Sequence, residues 1–429
     1  YNTVQKDGSI IYKLTQFIKG VRYTSSLNAN VRFHFPFDEY FEEQPYYDEK
    51  QKECIKEIYG DVISGKAMNR LVQGDVGCGK TVVAASAIYI AVKNGYQAAM
   101  MAPTEILATQ HFESLGKMFE KFGIKTILLT GSMTAKQKRD AYEQIKTGNV
   151  DVIVGTHAII QKEVEFSKLA LVITDEQHRF GVKQRSALAE KGEHPHMLVM
   201  TATPIPRTLA LILYGDLDIS IIDELPPGRK PVATYAVGES MRDRIYAFLK
   251  KNIDAGMQGY VVCPLIEETE NADLKNATDL KSRLEKIFPD ISIGLMHGKM
   301  KPKEKDEIMR MFSGGDIKIL VSTTVIEVGV NVRNSNVMII ENAERFGLSQ
   351  LHQLRGRVGR GQDKAYCVMF FNGNNEVTKK RMETMCMSND GFYISEQDLK
   401  LRGPGDFFGS RQHGLPNLHL ADLMADMPL

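Results

Sequence analysis

The chain has 429 residues, of which 43% are hydrophobic and 25% are charged, and its 54 Lys and Arg against 53 Asp and Glu leave a net charge of +1. This composition is typical of a globular protein of two or three domains and excludes a general polyanion binder, so any nucleic-acid binding must come from local positive charge. No apolar run approaches the ~20 residues that span a bilayer, and no signal-peptide pattern is present. Five scattered cysteines without C-x-x-C spacing argue for a reducing cytoplasm and against structural zinc.

Residues 1–45 differ from the rest of the chain. Residues 31–35 alternate apolar and polar side chains, which predicts a strand, and residues 8–14 are a second candidate strand. The aromatic and basic side chains between residues 12 and 23 fit a base-stacking platform, but they fit the remnant of a half-buried sheet equally well. The segment is too short to form a complete domain.

A phosphate-binding loop follows in residues 74–81, which read GDVGCGKT. The loop lies between a short apolar strand and a segment with the spacing of a buried helix, which is the context that supports this motif. Lys80 is expected to reach the β- and γ-phosphates of a nucleotide, and the Thr81 hydroxyl to bind Mg²⁺. The residues expected to contact the nucleotide here are Gly74, Asp75, Gly77, Cys78, Gly79, Lys80 and Thr81.

An acidic pair follows the apolar strand predicted at residues 169–174. Asp175 is expected to hold Mg²⁺ and Glu176 to polarise the attacking water. Acidic pairs after strands also cap helices, but this pair follows a phosphate loop by about a hundred residues in an alternating β/α chain.

The organisation of the chain predicts two tandem RecA-like domains of the α/β class, each built on a doubly wound parallel sheet. Residues 224–231 (ELPPGRKP) indicate a hinge between them. The sequence shows no obvious internal repeat, although the two halves have the same architecture. The predicted boundaries are 1–45 for a partial N-terminal β segment, 46–228 and 229–385 for the two domains, and 386–429 for a C-terminal helical and loop extension.

The second domain ends with QLRGRVGR at residues 353–360. Arg357 and Arg360 lie among glycines that allow the backbone to approach a ligand closely. We expect them to neutralise charge on the γ-phosphoryl group, a role that lysine fills less well. The alternative is that both arginines form surface ion pairs.

Taken in order, these blocks resemble the motifs of superfamily 2 helicases. The blocks are GDVGCGKT (74–81), APTEILATQH (102–111), VGTHAII (154–160), DEQH (175–178), TATPIPRT (201–208), GLMHGKM (294–300), VSTTVIEVGVNV (321–332) and QLHQLRGRVGR (350–360). DEQHRFGVKQR (175–185) and DLKLRGPGDFFGSRQHG (398–414) further resemble the RecG family of branched-DNA translocases more than the transcription-repair coupling factor.

The resemblance implies further site residues. Gln51 would sense the adenine and Gln353 would contact the nucleotide, with ATP and Mg²⁺ required. DNA contact or coupling would fall to Thr104, Thr156, His157, Thr201, Thr203 and Thr323, and a translocation lever would include Arg402, Arg411 and Gln412. The chain departs from the family pattern at Asn331, where an aspartate is usual, and only a fragment of the family's N-terminal OB-type wedge domain fits residues 1–45.

The function implied is that of an ATP-dependent translocase on double-stranded DNA that remodels stalled forks, Holliday junctions and R-loops in recombination and repair. The resemblance implies a cytoplasmic, nucleoid-associated monomer that binds branched or duplex DNA, with single-stranded DNA-binding protein as a further candidate partner. Two alternatives stay open: a transcription-coupled translocase, and a nucleotide-dependent DNA-binding switch with little turnover. ATPase activity measured with and without branched DNA separates the switch from the motor.

Overall fold

The protein is described by a computed structural model in which most of the two predicted domains is placed. The described residues are 48–176, 188, 191–192, 194–204, 217–224, 230–264, 270–323, 332, 334–359, 361, 363–373 and 375–402, with two short N-terminal strands, β1 (Tyr23–Ser25) and β2 (Val31–Phe33). These two strands pair antiparallel. The candidate strand at 8–14, most of the aromatic and basic segment at 12–23, and the centre of the predicted hinge lie outside the described residues.

The first lobe is a seven-stranded parallel sheet with helices on its faces. Its helices are α1 (Glu49–Ile63), α2 (Lys80–Lys93), α3 (Glu105–Phe119) and α4 (Ala135–Thr147). Its strands are β3 (Asn69–Gly74), β4 (Gln97–Met101), β5 (Thr126–Leu129), β6 (Val152–Gly155), β7 (Leu169–Asp175), β8 (His196–Thr201) and β9 (Asp218–Ile222). Their order across the sheet is β5-β6-β4-β7-β8-β3-β9, and every pairing is parallel. The central strands are buried on both faces, as helices on each side of a parallel sheet require.

The second lobe repeats this plan with six parallel strands. Its strands are β10 (Ala233–Val237), β11 (Gln258–Val262), β12 (Ile293–Met296), β13 (Ile319–Ser322), β14 (Ser335–Ile340) and β15 (Tyr366–Phe370). Its helices are α5 (Arg242–Asp254), α6 (Glu270–Ile287), α7 (Pro302–Gly314) and α8 (Leu348–Arg355). The strand order is β10-β15-β14-β11-β13-β12. Beyond the sheet, α9 (Glu376–Met387) and α10 (Gly391–Arg402) form a hairpin that packs on α8.

The two lobes share details that the sequence did not reveal as a repeat. Gln97, the first residue of β4, is buried, and its amide donates to one carbonyl in the last turn of α4 and another just after it, at 3.0 and 2.9 Å. Gln258, the first residue of β11, donates in the same way to carbonyls in and just after α7. Thr156 follows β6 and Thr323 follows β13, the strands next to the sheet edges. The backbone N–H of each threonine donates to the last residue of the edge strand, β5 or β12, at 3.2 Å.

The predicted fold class, two tandem parallel-sheet domains, is confirmed. Apolar runs predict eleven strands in this part of the chain, and all are present with ends that shift by at most two residues. The predicted ranges are 71–73, 97–102, 126–129, 152–154, 169–174, 197–201, 259–264, 292–296, 318–322, 337–341 and 365–371. Two further strands, β9 and β10, were not expected. Both lie at sheet edges and are only partly buried, so they lack the continuous apolar run that identifies a central strand.

Within the described part of the chain, every helix is too short or too polar to cross a membrane.

Candidate nucleotide site and lobe interface

The phosphate loop connects β3 to α2. Gly77 and Gly79 have φ values of +78° and +90°, a region that residues with a Cβ rarely adopt, and Gly79 is the N-cap of α2. The turn aims backbone N–H groups and the positive end of α2 at one point, as a phosphate site requires. Lys80 is 9% exposed, and its ammonium donates to the carbonyl oxygens of Gly74 and Asp75 at 2.6 and 2.8 Å. The ammonium of the predicted lysine therefore lies against the first two residues of the phosphate loop.

Gln51 lies against the same loop. Its side-chain amide donates to the Cys78 carbonyl oxygen at 2.9 Å, and its carbonyl accepts from the Asp48 N–H as part of the capping box of α1. A Cβ on Gly79 would meet this amide at 2.1 Å, so a larger residue there would displace the Gln51 side chain from the loop. The structure thus brings Gln51 to the phosphate loop; its contact with adenine stays a prediction.

The acidic pair lies at the carboxyl end of β7. Burial on its own raises the pKa of Asp175, but the hydrogen bond from His111 at 2.8 Å and the nearby charge of Lys80 lower the pKa below its usual value. The carboxylate is therefore ionised. Glu176 has a φ of +55°, a strained conformation for a residue with a side chain, and its carboxylate accepts from the Ala202 N–H at 3.5 Å. His111 had not been singled out from the sequence.

These residues fit a divalent cation. Asp175 offers an ionised carboxylate, and Thr81 is half-buried in the first turn of α2, beside Lys80. A carboxylate and a hydroxyl are ligands that Mg²⁺ accepts, with the remaining positions left for water and phosphate oxygens.

The second lobe reaches the first through α8. The Gln353 side-chain amide donates to the Thr203 hydroxyl at 2.7 Å, and the Thr203 N–H donates to the Thr201 hydroxyl at 3.2 Å. Two blocks predicted from the sequence, TATPIPRT and QLRGRVGR, are therefore in direct contact. Gln353 reaches the segment after β8 rather than the phosphate loop itself.

His352 makes a second bridge that the sequence analysis missed. Its Nε2 lies 2.6 Å from Asp75 Oδ1, so a residue of the second lobe contacts the phosphate loop. Burial on its own raises the pKa of Asp75, but hydrogen bonds from His352 and the Val76 N–H, with the charge of Lys80, lower it below the usual value. A histidine and an arginine three apart on one helix, His352 and Arg355, were the available signal in the sequence.

The arginine motif begins at a close contact between the backbone of the second lobe and the phosphate loop. A Cβ on Gly356 would lie 2.9 Å from the Val76 Cβ, so only glycine permits this approach. Arg357, the next residue, is buried at 3% exposure. Arg360 lies outside the described residues, so of the predicted pair the structure describes Arg357, directly after the contact between Gly356 and Val76; its contact with a nucleotide stays a prediction.

The predicted DNA-contacting residues have different surroundings. The Thr104 hydroxyl caps α3 by accepting from the Leu107 N–H at 3.4 Å, and His157 is exposed. Thr156 and Thr323 are buried, with only 2% and 1% of their surface accessible. Contact between any of these residues and DNA stays a prediction. The Arg402 side chain, Arg411, Gln412 and Asn331 lie outside the described part of the chain.

Comparison with known proteins finds three family models that match successive parts of the chain. Residues 48–212 match the DEAD/DEAH box helicase family, residues 242–362 match the helicase conserved C-terminal domain, and residues 388–429 match ATP-dependent DNA helicase RecG, domain 3, C-terminal. The chain is 54% identical over 377 residues to the ATP-dependent DNA helicase RecG of Bacillus subtilis, which is 88% of this chain and 55% of that protein. The chain belongs to the RecG family.

Other RecG relatives agree. The RecG of Thermotoga maritima is 51% identical over 380 residues, covering 88% of this chain and 49% of that protein. A solved structure of RecG bound to a three-way DNA junction superimposes with a TM-score of 0.79 at 44% identity, over 96% of this chain and 54% of that one. The chain thus spans about half the length of the RecG proteins it matches. A yeast Dbp5 structure, at 16% identity and a TM-score of 0.55, shares the fold alone.

Proposed function

We propose that the chain is the ATP-driven motor of a translocase that moves on duplex DNA and remodels branched DNA, including stalled forks, Holliday junctions and R-loops. The observation that carries this proposal is the shared cleft: α8 of the second lobe contacts the phosphate loop through His352 and the segment after β8 through Gln353. A nucleotide bound at such a cleft changes how the lobes sit on each other, which is what a motor requires. Membership of the RecG family, whose C-terminal domain 3 matches residues 388–429, supports branched DNA as the substrate.

Hydrolysis can be assigned to residues of both lobes. Water attacks the γ-phosphorus, the bond from that phosphorus to the β-γ bridging oxygen breaks, and the proton of the water passes to the Glu176 carboxylate. Lys80 stabilises the leaving ADP, and Arg357 and Arg360 neutralise charge on the γ-phosphoryl oxygens. Thr81 and Asp175 would hold Mg²⁺, which when bound offsets phosphate charge.

Coupling to DNA would follow from the contacts of the same residues. Gln353 holds Thr203, which follows the strand that ends at Thr201, so the first lobe's loop after β8 moves with α8. We propose that backbone phosphates are gripped by Thr104, His157 and neighbouring residues at the carboxyl ends of the strands, and that sequence preference is weak.

The test is ATPase activity without DNA, with linear duplex and with a three-way junction, for the unchanged chain and for Glu176→Gln. We expect stimulation by duplex and junction DNA. Glu176→Gln should still bind ATP but hydrolyse it at least ~100-fold more slowly, because the proton acceptor is lost. Glu113→Gln, at an exposed position on α3, is the matched control and should keep full activity. ATPase activity that ignores DNA would contradict the motor and favour a binding switch.

A further inference from the structure

Four segments of the chain meet at the first residue of α10. A Cβ on Gly391 would lie 2.6 Å from His352 Nε2, 2.6 Å from Pro204 Cγ and 3.1 Å from Asp75 Oδ2. The backbone of Gly391 therefore lies directly on the His352–Asp75 pair and on the residue that follows the Thr201–Thr203 segment. The start of the C-terminal hairpin helix is in contact with the phosphate loop of the first lobe.

The proton on His352 is located by its neighbours. Arg355 Nη2 lies 2.9 Å from His352 Nδ1, and a guanidinium can only donate, so Nδ1 must accept. The ring proton is then on Nε2, where it is donated to Asp75 Oδ1 at 2.6 Å. Each ring nitrogen has one partner, so the imidazole is fixed in orientation.

Arg355 ties this arrangement to the end of α9, on the other side of the hairpin turn. Its Nη1 donates to the carbonyl oxygens of Met385 and Ser388, at 2.8 and 2.7 Å, where α9 ends. Arg355 is 2% exposed, so these bonds lie in a region where an unmade partner is costly. The turn between α9 and α10 is thus held from both sides, by Arg355 at residues 385–388 and by the contact of His352 with Gly391.

The junction is not packed solid. A cavity of about 30 Å³, room for about one water molecule, lies between Asp75 and Val76 of the loop, residues 230–232, α8 and Asn389. The loop, the end of the hinge and the hairpin therefore border a common space.

We propose that His352 is a positioning residue that ties Asp75 of the phosphate loop to the first turn of α10, so that the α9–α10 hairpin follows movements of the loop. The proposal rests on the proposed function in one respect: the contact would serve to carry nucleotide-driven movement to the segment that leads into the RecG-specific C-terminus. The contacts themselves do not depend on that function. Hydrogen bonding by His352, not its titration, is what the role requires.

The first experiment measures hydrogen exchange of the backbone amides of residues 391–398, with and without a non-hydrolysable ATP analogue, in the whole chain. In the unchanged protein we expect the analogue to change exchange there at least ~5-fold. His352→Leu fills the space but cannot donate, so the change should fall to within ~2-fold. His352→Gln keeps an N–H donor at about the reach of Nε2 and should restore most of it. Gly391→Ala should lose the analogue-induced change in exchange because the added methyl displaces α10. Gly60→Ala, where an added Cβ has nothing within 4 Å, is the control and should keep the change.

The second experiment compares hydrolysis with movement, as ATP consumed per third strand displaced from a triplex on duplex DNA. We expect His352→Leu and Gly391→Ala to raise this ratio about 10-fold or more, with little change in the KM for ATP, and His352→Gln to stay near the unchanged chain. An analogue-induced exchange change in His352→Leu equal to that of the unchanged chain would overturn the proposal. A proportional decline of hydrolysis and strand displacement in His352→Leu would also overturn the proposal, because a residue that acts only at the nucleotide site would give that result. If the unchanged chain ignores DNA, the proposed motor fails while the exchange experiment still decides the role of His352.

Discussion

The contact between Gly356 and Val76 offers a direct test of the shared cleft, through Gly356→Ala. Gly356 has φ −64° and ψ −7° at the end of α8, a conformation that alanine adopts freely, so the backbone itself is not strained. The added Cβ would meet three atoms of Val76, at 2.9, 3.0 and 3.1 Å. Contacts this short force the neighbours apart, and overpacking of this kind costs about 1–3 kcal/mol.

That cost acts on the approach of the lobes rather than on either core, because Gly356 and Val76 belong to different lobes. A cost of about 1–3 kcal/mol reduces the closed population by roughly 5- to 150-fold if closure is a two-state equilibrium. We therefore expect the DNA-stimulated kcat/KM for ATP to fall on the order of 10-fold. The melting temperature should stay the same or rise slightly, because alanine replaces glycine at a helix end.

The assay is steady-state ATPase with saturating duplex DNA, alongside a thermal melt. Gly238→Ala, also in the second lobe and with nothing within 4 Å, is the matched control. Val76→Ala combined with Gly356→Ala removes two of the three short contacts and should recover part of the activity. Unchanged turnover in Gly356→Ala, or a loss that Val76→Ala does not relieve, would refute the close approach as a requirement for hydrolysis.

Two further predictions concern buried polar groups. Burial lowers the pKa of His196 to about 4, and its Nδ1 accepts from the Met68 N–H at 2.9 Å. As the pH falls from about 6.5 towards 4, only the unfolded chain takes up a proton at this residue, so the free energy of unfolding should drop by about 2 kcal/mol between pH 7 and pH 5. Urea unfolding of His196→Asn should show a flatter pH dependence. A pH dependence as steep as that of the unchanged chain would contradict this. Gln97→Leu removes four hydrogen bonds from buried or half-buried backbone groups. In urea unfolding, the first lobe should be destabilised by about 3–5 kcal/mol and the second lobe should be unaffected. A loss of stability below about 1 kcal/mol would show that water satisfies those backbone groups.

The sequence predicted the parts of the fold that depend on local pattern. Central strands such as β7 are continuous apolar runs, and the glycine loop before Lys80 has a geometry that few other sequences adopt. Strands β9 and β10 escaped because an edge strand needs only partial burial. His352 was missed for a different reason: its partner Asp75 is 277 residues away, and the nearby signal, Arg355 three residues on, does not indicate Asp75. Contacts between the lobes depend on how the surfaces of two folded lobes pack together, and the periodicity of a single sequence carries no information about that packing.

The glutamine that begins both β4 and β11 points to the ancestry of the chain. Two lobes that solve the same packing problem with the same buried amide, in the same place, are what tandem duplication of one ancestral gene would leave. In this chain the loop at residues 74–81 belongs to the first copy and the arginine motif to the second. A shared structural frame therefore carries different chemistry in its two halves, and neither lobe alone holds both parts of the candidate nucleotide site.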